Sequence, residues 1–321
     1  MLVEVDSAVF AENTNALNVI RLFDLFIRDV HEWSADISQI DPVDEFFGEH
    51  VPVMRDTYRS IAMKSVAASS WRSVDRPLVR VEGGTLDDHL HDLSRPAVLL
   101  VENDSSDKSF LRAIALVLRA DDILTAIKER NLDIRNGGGK HDAGRQAREQ
   151  RDEFRLIPRV ALLLDSDRMH PNAVTKCHRI ADQAREFDVK AHVLEFRESE
   201  NYVPNRVLAQ SGHHRRMAET SRRLEALKEL TPRQRAYFDM KDGFKRTPGK
   251  PLEPDPTHEG LFDDVPQRTL MRLSKGFGKN LTEKMETLAS QGRVTESDLA
   301  VLGEDVVQEL HRILDMLRTI V

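Results

Sequence analysis

Apolar positions along the chain follow two different rhythms. Near the start, Ala16, Ile20, Phe23, Ile27 and Val30 recur at steps of three and four, which predicts a helix with one buried face. Asp41, Pro42, Gly48 and Pro52 then read as a breaker-rich stretch, and a second helix is expected from about Met54 to Trp71. Pro77 to Val81 predicts a short strand closed by Gly83-Gly84. Residues 1–94 are therefore expected to form a mainly helical N-terminal region.

From Arg95 the rhythm changes. Ala97 to Val101 is a continuous apolar run of strand length, followed by a helical stripe of Phe110, Leu111, Ile114, Val117 and Leu118. Asn136 to Gly139 signals a turn before a polar helix, Val160 to Leu164 is a second apolar strand, a helix is expected from about Ala173 to Phe187, and Ala191 to Phe196 is a third strand. Fully apolar strands alternating with helices predict an α/β domain over residues 95–206, with a mainly parallel sheet covered on both faces. Such sheets hold ligands at the carboxyl ends of their strands. Residues 207–321 read as a helical C-terminal region with a Pro-rich loop at 248–256. Its last helix is predicted to start at a cap formed by Thr295 and Asp298, with a stripe of Leu299, Leu302, Val306, Leu310, Ile313, Leu317 and Ile320. That stripe predicts core packing first and a homodimer contact second.

Composition narrows the choice of function. The chain has 321 residues, 40% hydrophobic and 31% charged, enough for a real core under a solvated surface. Its 47 basic and 54 acidic residues give a net charge of -7, which excludes a basic coat protein but not a local basic groove. The longest apolar runs fall far short of the roughly 20 residues of a membrane span, and no signal peptide is legible, so a cytoplasmic protein is expected. Cys177 is alone, which excludes an intrachain disulfide and a multi-cysteine zinc site.

The excess acid falls at telling places. Glu102 directly follows the first of these apolar strands, and Asp165 and Asp167 follow the second. On an extended segment alternate residues point the same way, so Asp165 and Asp167 are expected to face one point that Glu102 also reaches from the adjacent strand. Clustered carboxylates repel one another unless a cation neutralises them, and hard oxygen donors select Mg²⁺ or Mn²⁺. Glu200 follows the third strand and reads either as a ligand for a second ion or as part of a charged loop entering a helix.

Taken together, Val101-Glu102-Asn103-Asp104-Ser105-Ser106-Asp107, Leu164-Asp165-Ser166-Asp167 and Glu200-Asn201-Tyr202 resemble, over residues 95–206, the TOPRIM domain of OLD-family nucleases and related phage-defence effectors. The resemblance implies a TOPRIM-like fold and a two-metal nuclease acting on DNA or RNA. Glu102 would be a metal ligand or acid/base, Asp165 and Asp167 metal ligands, and Glu198 and Glu200 an additional acidic motif. It implies a catalytic lysine beyond the acids, for which Lys241 is the first candidate and Lys279 the second. The chain departs from the family at Asn103, where Gly is common, and at Asp107, one residue late, so Asp107 has no assured role. Glu82, before Gly83-Gly84, is a second match to the glutamate motif, but the following segment builds a weaker helical pattern.

OLD-family proteins often join this domain to an ATPase. No complete phosphate-binding loop is present here: Gly137-Gly138-Gly139-Lys140 lacks the required spacing. The resemblance therefore implies a separate ABC- or SMC-like ATPase partner, as in two-gene anti-phage systems. Lys140, Arg145, Arg148, Arg215 and Arg216, with Arg151, Arg222 and Arg223, are candidate backbone contacts for nucleic acid. His89 and His91 among Asp87, Asp88 and Asp92 read as a polar loop before a metal site. A tRNA-directed ribonuclease and a catalytically silent binding subunit are the alternatives.

Overall fold

The computed structural model describes residues 1–10, 15–69, 78–139, 142–211, 217–244 and 252–321. Its architecture is α/β, with two sheets that are each entirely parallel and are flanked by helices. The first sheet holds β1 (Leu2–Val5), β2 (Glu32–Trp33) and β3 (Leu78–Val81) in the order β2-β1-β3. The second holds β4 (Ala97–Val101), β5 (Leu132–Asn136), β6 (Val160–Leu164) and β7 (Lys190–Val193) in the order β5-β4-β6-β7.

The N-terminal region is mainly helical, as expected, and adds two short strands to the one predicted near Val81. Helices Ala16–Ile27, Ile40–His50 and Arg55–Ser69 occupy much of it, but a parallel sheet runs through it. Strands of two to four residues leave too short a run for periodicity to register. Asp41 and Pro42 do not break the chain. They lie in the first turn of helix Ile40–His50, where a proline costs no internal hydrogen bond. An aromatic core centred on Phe23 holds this region together, with Trp33 at 4.8 Å and Phe47 at 5.1 Å between ring centroids.

Strict alternation in the second sheet explains why its strands are apolar throughout. Leu99 and Val101 of β4, with Ala161 and Leu163 of β6, pack into one core on one face. Val98, Leu100, Val160, Leu162 and Leu164 pack into another on the opposite face. From β4 the chain crosses to β5 on one side and then returns past β4 to β6 on the other. The order therefore reverses between β4 and β6. In open parallel sheets ligands usually sit at such a reversal, at the carboxyl ends of the strands.

Beyond β7 the chain is helical. The C-terminal stripe spans two helices, Glu296–Ala300 and Val306–Arg318, joined through Leu302-Gly303. All seven of its apolar residues are buried in the same core as one face of the second sheet, so the stripe is spent within the chain and not offered to a second copy. The predicted Thr295–Asp298 cap is present, with Asp298 Oδ2 accepting from Thr295 N at 2.9 Å. Lys140, Arg215, Arg216 and the first part of the Pro-rich loop lie outside the described residues.

Candidate functional site

Register decides what the sheet edge presents. Val101 of β4 pairs with Leu163 of β6, and Leu164 pairs with Val193 of β7, so the three strands end nearly level. Glu102 leaves β4 there, Asp165 leaves β6, and Glu198 and Glu200 follow β7 at a short 3₁₀ turn, Ser199–Tyr202.

Each acid is positioned by identifiable bonds. Asn103 caps helix Asp104–Val117, its side-chain oxygen accepting from Ser105 N at 3.1 Å. Its own N–H donates to Asp107 Oδ2 at 2.8 Å. Asn103 and Asp107 thus form one local device: Asn103 caps the helix, and Asp107 folds back to fasten the cap. Asp165 Oδ1 accepts from Ser199 N at 3.0 Å, which ties the end of β6 to the turn after β7. Ser166 Oγ donates to Phe196 O at 2.7 Å, and Asp167 N donates to Arg197 O at 3.0 Å.

Asp167 departs from simple alternation. Its φ of 51° lies in the left-handed region, so the segment after Asp165 is no longer extended. Its carboxylate meets Cys177 Sγ at 3.5 Å, and the same sulfur lies 3.8 Å from Glu102 Oε1. The buried thiol therefore sits between Glu102 and Asp167, a contact that spacing along the chain does not foretell.

The placement of the acids shifts their titration. Burial, and then the negative charges of Asp107, Glu102, Glu198 and Glu200, push the Asp165 carboxyl well above the ordinary range. Burial also raises Asp107 and Glu200, and Lys241 opposes both shifts. Lys241 Nζ lies 3.0 Å from Glu198 Oε2 and 3.1 Å from Glu200 Oε1. Burial disfavours its ammonium, but those two carboxylates outweigh the burial and hold Lys241 protonated well past its usual range. Of the two candidate lysines, Lys241 meets the acids; Lys279 is exposed.

The loop that carries Lys241 is clamped by glycine. Phe244 N donates to Leu273 O at 2.9 Å, Phe277 N to Met240 O at 2.7 Å and Gly278 N to Lys241 O at 3.2 Å. A Cβ on Gly276 would stand 2.2 Å from the Lys241 carbonyl oxygen, and one on Gly243 would stand 2.4 Å from Leu273 O. Gly243 also has a φ of 78°, which favours glycine on backbone grounds alone. The two lysine-bearing segments, Asp239–Gly243 and Lys275–Lys279, are thus one paired structure.

Other sequence candidates have different surroundings. Glu82 ends β3 in the other sheet and is exposed. The helix after it, Leu86–Leu93, does form an apolar face, with Leu86, Leu90 and Leu93 buried, against the weaker pattern read from sequence. The His and Asp residues there lie on this helix, not in a loop. His89 Nδ1 is 2.9 Å from Thr85 O, His91 Nε2 is 3.1 Å from Glu153 O, and Asp92 accepts from the N–H groups of Arg155, Leu156 and Ile157. Arg145 pairs with Asp142 and Glu149, and Arg148 stacks over Phe187 with its guanidinium carbon 4.4 Å from the ring centroid. Much of that basic face is therefore internally committed.

Among the described residues no group of three or more His, Cys, Asp or Glu side chains is placed so that it could hold a metal ion. The carboxylate oxygens of Glu102, Asp165, Asp167, Glu198 and Glu200 are hard donors of the kind Mg²⁺ or Mn²⁺ takes, with the Cys177 thiol between Glu102 and Asp167 as the one soft group among them. Glu198 and Glu200 would have to exchange Lys241 for the cation. No helix among the described residues is long and apolar enough to cross a membrane. Comparison with family models, with curated proteins and with solved structures returns no match.

Proposed function

We propose that the chain is a metal-dependent nuclease of TOPRIM type that hydrolyses phosphodiester bonds of DNA or RNA. The observation that carries this reading is geometric: at the carboxyl ends of the parallel strands Asp165 is bonded to the turn that bears Glu198 and Glu200, Lys241 lies within 3.1 Å of both glutamates, and Glu102 and Asp167 meet at Cys177. Glu102, Asp165 and Asp167 would hold one Mg²⁺ or Mn²⁺, and Glu198 and Glu200 a second. Bound there, the ions would supply a water of lowered pKa and charge stabilisation for the leaving oxygen. Ser199 N fixes the Asp165 carboxylate, Asn103 N fixes Asp107, and the glycine clamp fixes Lys241, whose ammonium is suited to offset charge on a phosphate.

In this reading the protein works in the cytoplasm as the toxic effector of an anti-phage system, held in check by a separate ABC- or SMC-like ATPase. The test is cleavage of plasmid, linear DNA and tRNA with Mg²⁺ or Mn²⁺, by the wild type and by an Asp165→Ala/Asp167→Ala variant. Cation-dependent cleavage lost in the variant supports the proposal, and tRNA as the sole substrate selects a ribonuclease. Equal cleavage by the variant overturns it.

A second reading rests on one specific observation. Lys241 already neutralises Glu198 and Glu200, as expected of a silent subunit that keeps the fold for assembly. Partner binding that survives loss of the acids, with no cleavage of any substrate, would favour it.

A further inference from the structure

A second polar feature adjoins the acidic edge. A cavity of about 420 Å³ is bordered by His170 and Asn172 after β6, by Arg233 at the start of helix Pro232–Tyr237, and by His258, Glu259 and Asp264. The other end of that helix runs into Asp239 and the Lys241 loop. Arg197, whose charge acts on His258, is itself ion-paired with Glu198 at 3.3 Å. The cavity and the acids are thus neighbours across a single arginine.

His258 gives the cavity its chemical character. The residue is only 5% exposed, and its ring is held edge-on by Phe262 at 4.8 Å and 87°. Nδ1 lies 3.1 Å from the Asp255 carbonyl oxygen, which can only accept, so Nδ1 carries the proton. Nε2 is then a bare acceptor, and among the described residues it has no hydrogen-bond partner. Burial lowers the pKa of this imidazole and keeps it neutral. A buried acceptor without a donor is costly, so a ligand bringing an N–H or O–H gains from filling it.

The remaining lining groups refine the choice. Asp264 is already committed to Gln234 Nε2 at 2.6 Å, and Glu259 faces His170 Nε2 at 3.4 Å. Arg233 makes no ion pair among the described residues, which leaves one cation for an anionic group. A nucleotide combines a hydrogen-bond donor with a negative charge and falls within the range of small-molecule sites, and it is the anion that the proposed substrate itself would supply.

We propose that this cavity is a nucleotide subsite flanking the cleavage edge, in which a base or sugar N–H or O–H donates to His258 Nε2 while the adjoining phosphate meets Arg233. The proposal deepens the nuclease reading and rests on it for the source of the nucleotide. Its test does not depend on cleavage. Full-length protein with ¹⁵N-labelled histidine is titrated with AMP, GMP, CMP and UMP in buffer containing EDTA, and the His258 ring nitrogens are followed by NMR. At least one nucleotide should shift Nε2 upfield in a saturable manner. His258→Phe, which keeps the ring packing, and the surface variant Arg233→Ala should each weaken binding by about tenfold, measured by calorimetry. On a cleaved oligonucleotide the same variants should raise KM more than they lower kcat. Nucleotide binding unaffected by either variant, or no nucleotide binding by a protein that cleaves nucleic acid, overturns the subsite and leaves the nuclease reading standing. Saturable binding at His258 by a protein that cleaves nothing supports the subsite and removes the nuclease reading.

Discussion

Replacing Gly276 by alanine tests how the site is assembled, because the residue touches no proposed ligand and yet sets where Lys241 stands. Its new Cβ would fall 2.2 Å from the Lys241 carbonyl oxygen and 2.3 Å from the carbonyl carbon. Non-bonded carbon and oxygen approach to about 3.3 Å, so the two loops must part by roughly 1 Å. Three backbone hydrogen bonds span that gap, to Leu273 O, Met240 O and Lys241 O. Losing one or two of them at about 1 kcal/mol each, with some backbone strain, gives a destabilisation of about 2–4 kcal/mol. Because a small domain is stable by about 5–15 kcal/mol, the variant should still fold. Urea denaturation should show a lower midpoint at unchanged slope, and a displacement of roughly 1 Å at Lys241 should lower cleavage on the order of 100-fold. Gly84→Ala is the control, since a Cβ there meets nothing within 4 Å. A Gly276→Ala protein that unfolds and cleaves like wild type would refute the clamp.

Two further predictions concern buried acids. In EDTA, carboxylates whose pKa is raised on folding, Asp165, Asp107 and Glu200, contribute stability that is complete below the unfolded value of about 4 and is lost as pH rises through their folded values. Asp165→Asn should therefore raise the melting temperature at pH 8 by more than at pH 4.5, and parallel curves across that window would contradict the crowding. Glu309 is fully buried and accepts from Tyr202 Oη at 2.5 Å and Glu195 N at 2.7 Å, with His192 Nε2 at 3.0 Å, linking the C-terminal helix to the segment before Glu200. Glu309→Ala should cost about 3–5 kcal/mol in chemical denaturation, and a loss below about 1 kcal/mol would deny that network its role.

The two central strands were legible because burial on both faces demands an unbroken apolar run, and Ala97 to Val101 and Val160 to Leu164 supply it. Glu102 and Asp165 were legible for a related reason: a charge directly after such a run must lie at the sheet edge. β5 alternates Leu132 and Ile134 with Asp133 and Arg135, the pattern of an edge strand, but that short run merges with the turn signal of the glycines after it and does not stand out in the sequence. The ending of β7 at Val193, short of the expected Phe196, follows from the chain turning toward the C-terminal helix, where Glu195 N meets Glu309. Cys177 between Glu102 and Asp167, and Glu309 beneath Tyr202, are contacts between distant segments, which no local spacing encodes. Lys241 was singled out by resemblance, but the clamp that holds it depends on Gly243 and Gly276 meeting across more than thirty residues of chain. In each case local pattern located the element and only the fold supplied the partner.

The central claim is that these carboxylates converge to hold a divalent cation. Calorimetric titration of the EDTA-treated, dialysed protein with Mn²⁺ tests it most directly, with a Glu102→Gln/Asp165→Asn variant alongside. Saturable binding of one or two ions by the wild type, weakened by at least about tenfold in the variant, is the expected result. Equal Mn²⁺ binding by both proteins, or none by either, would contradict the account.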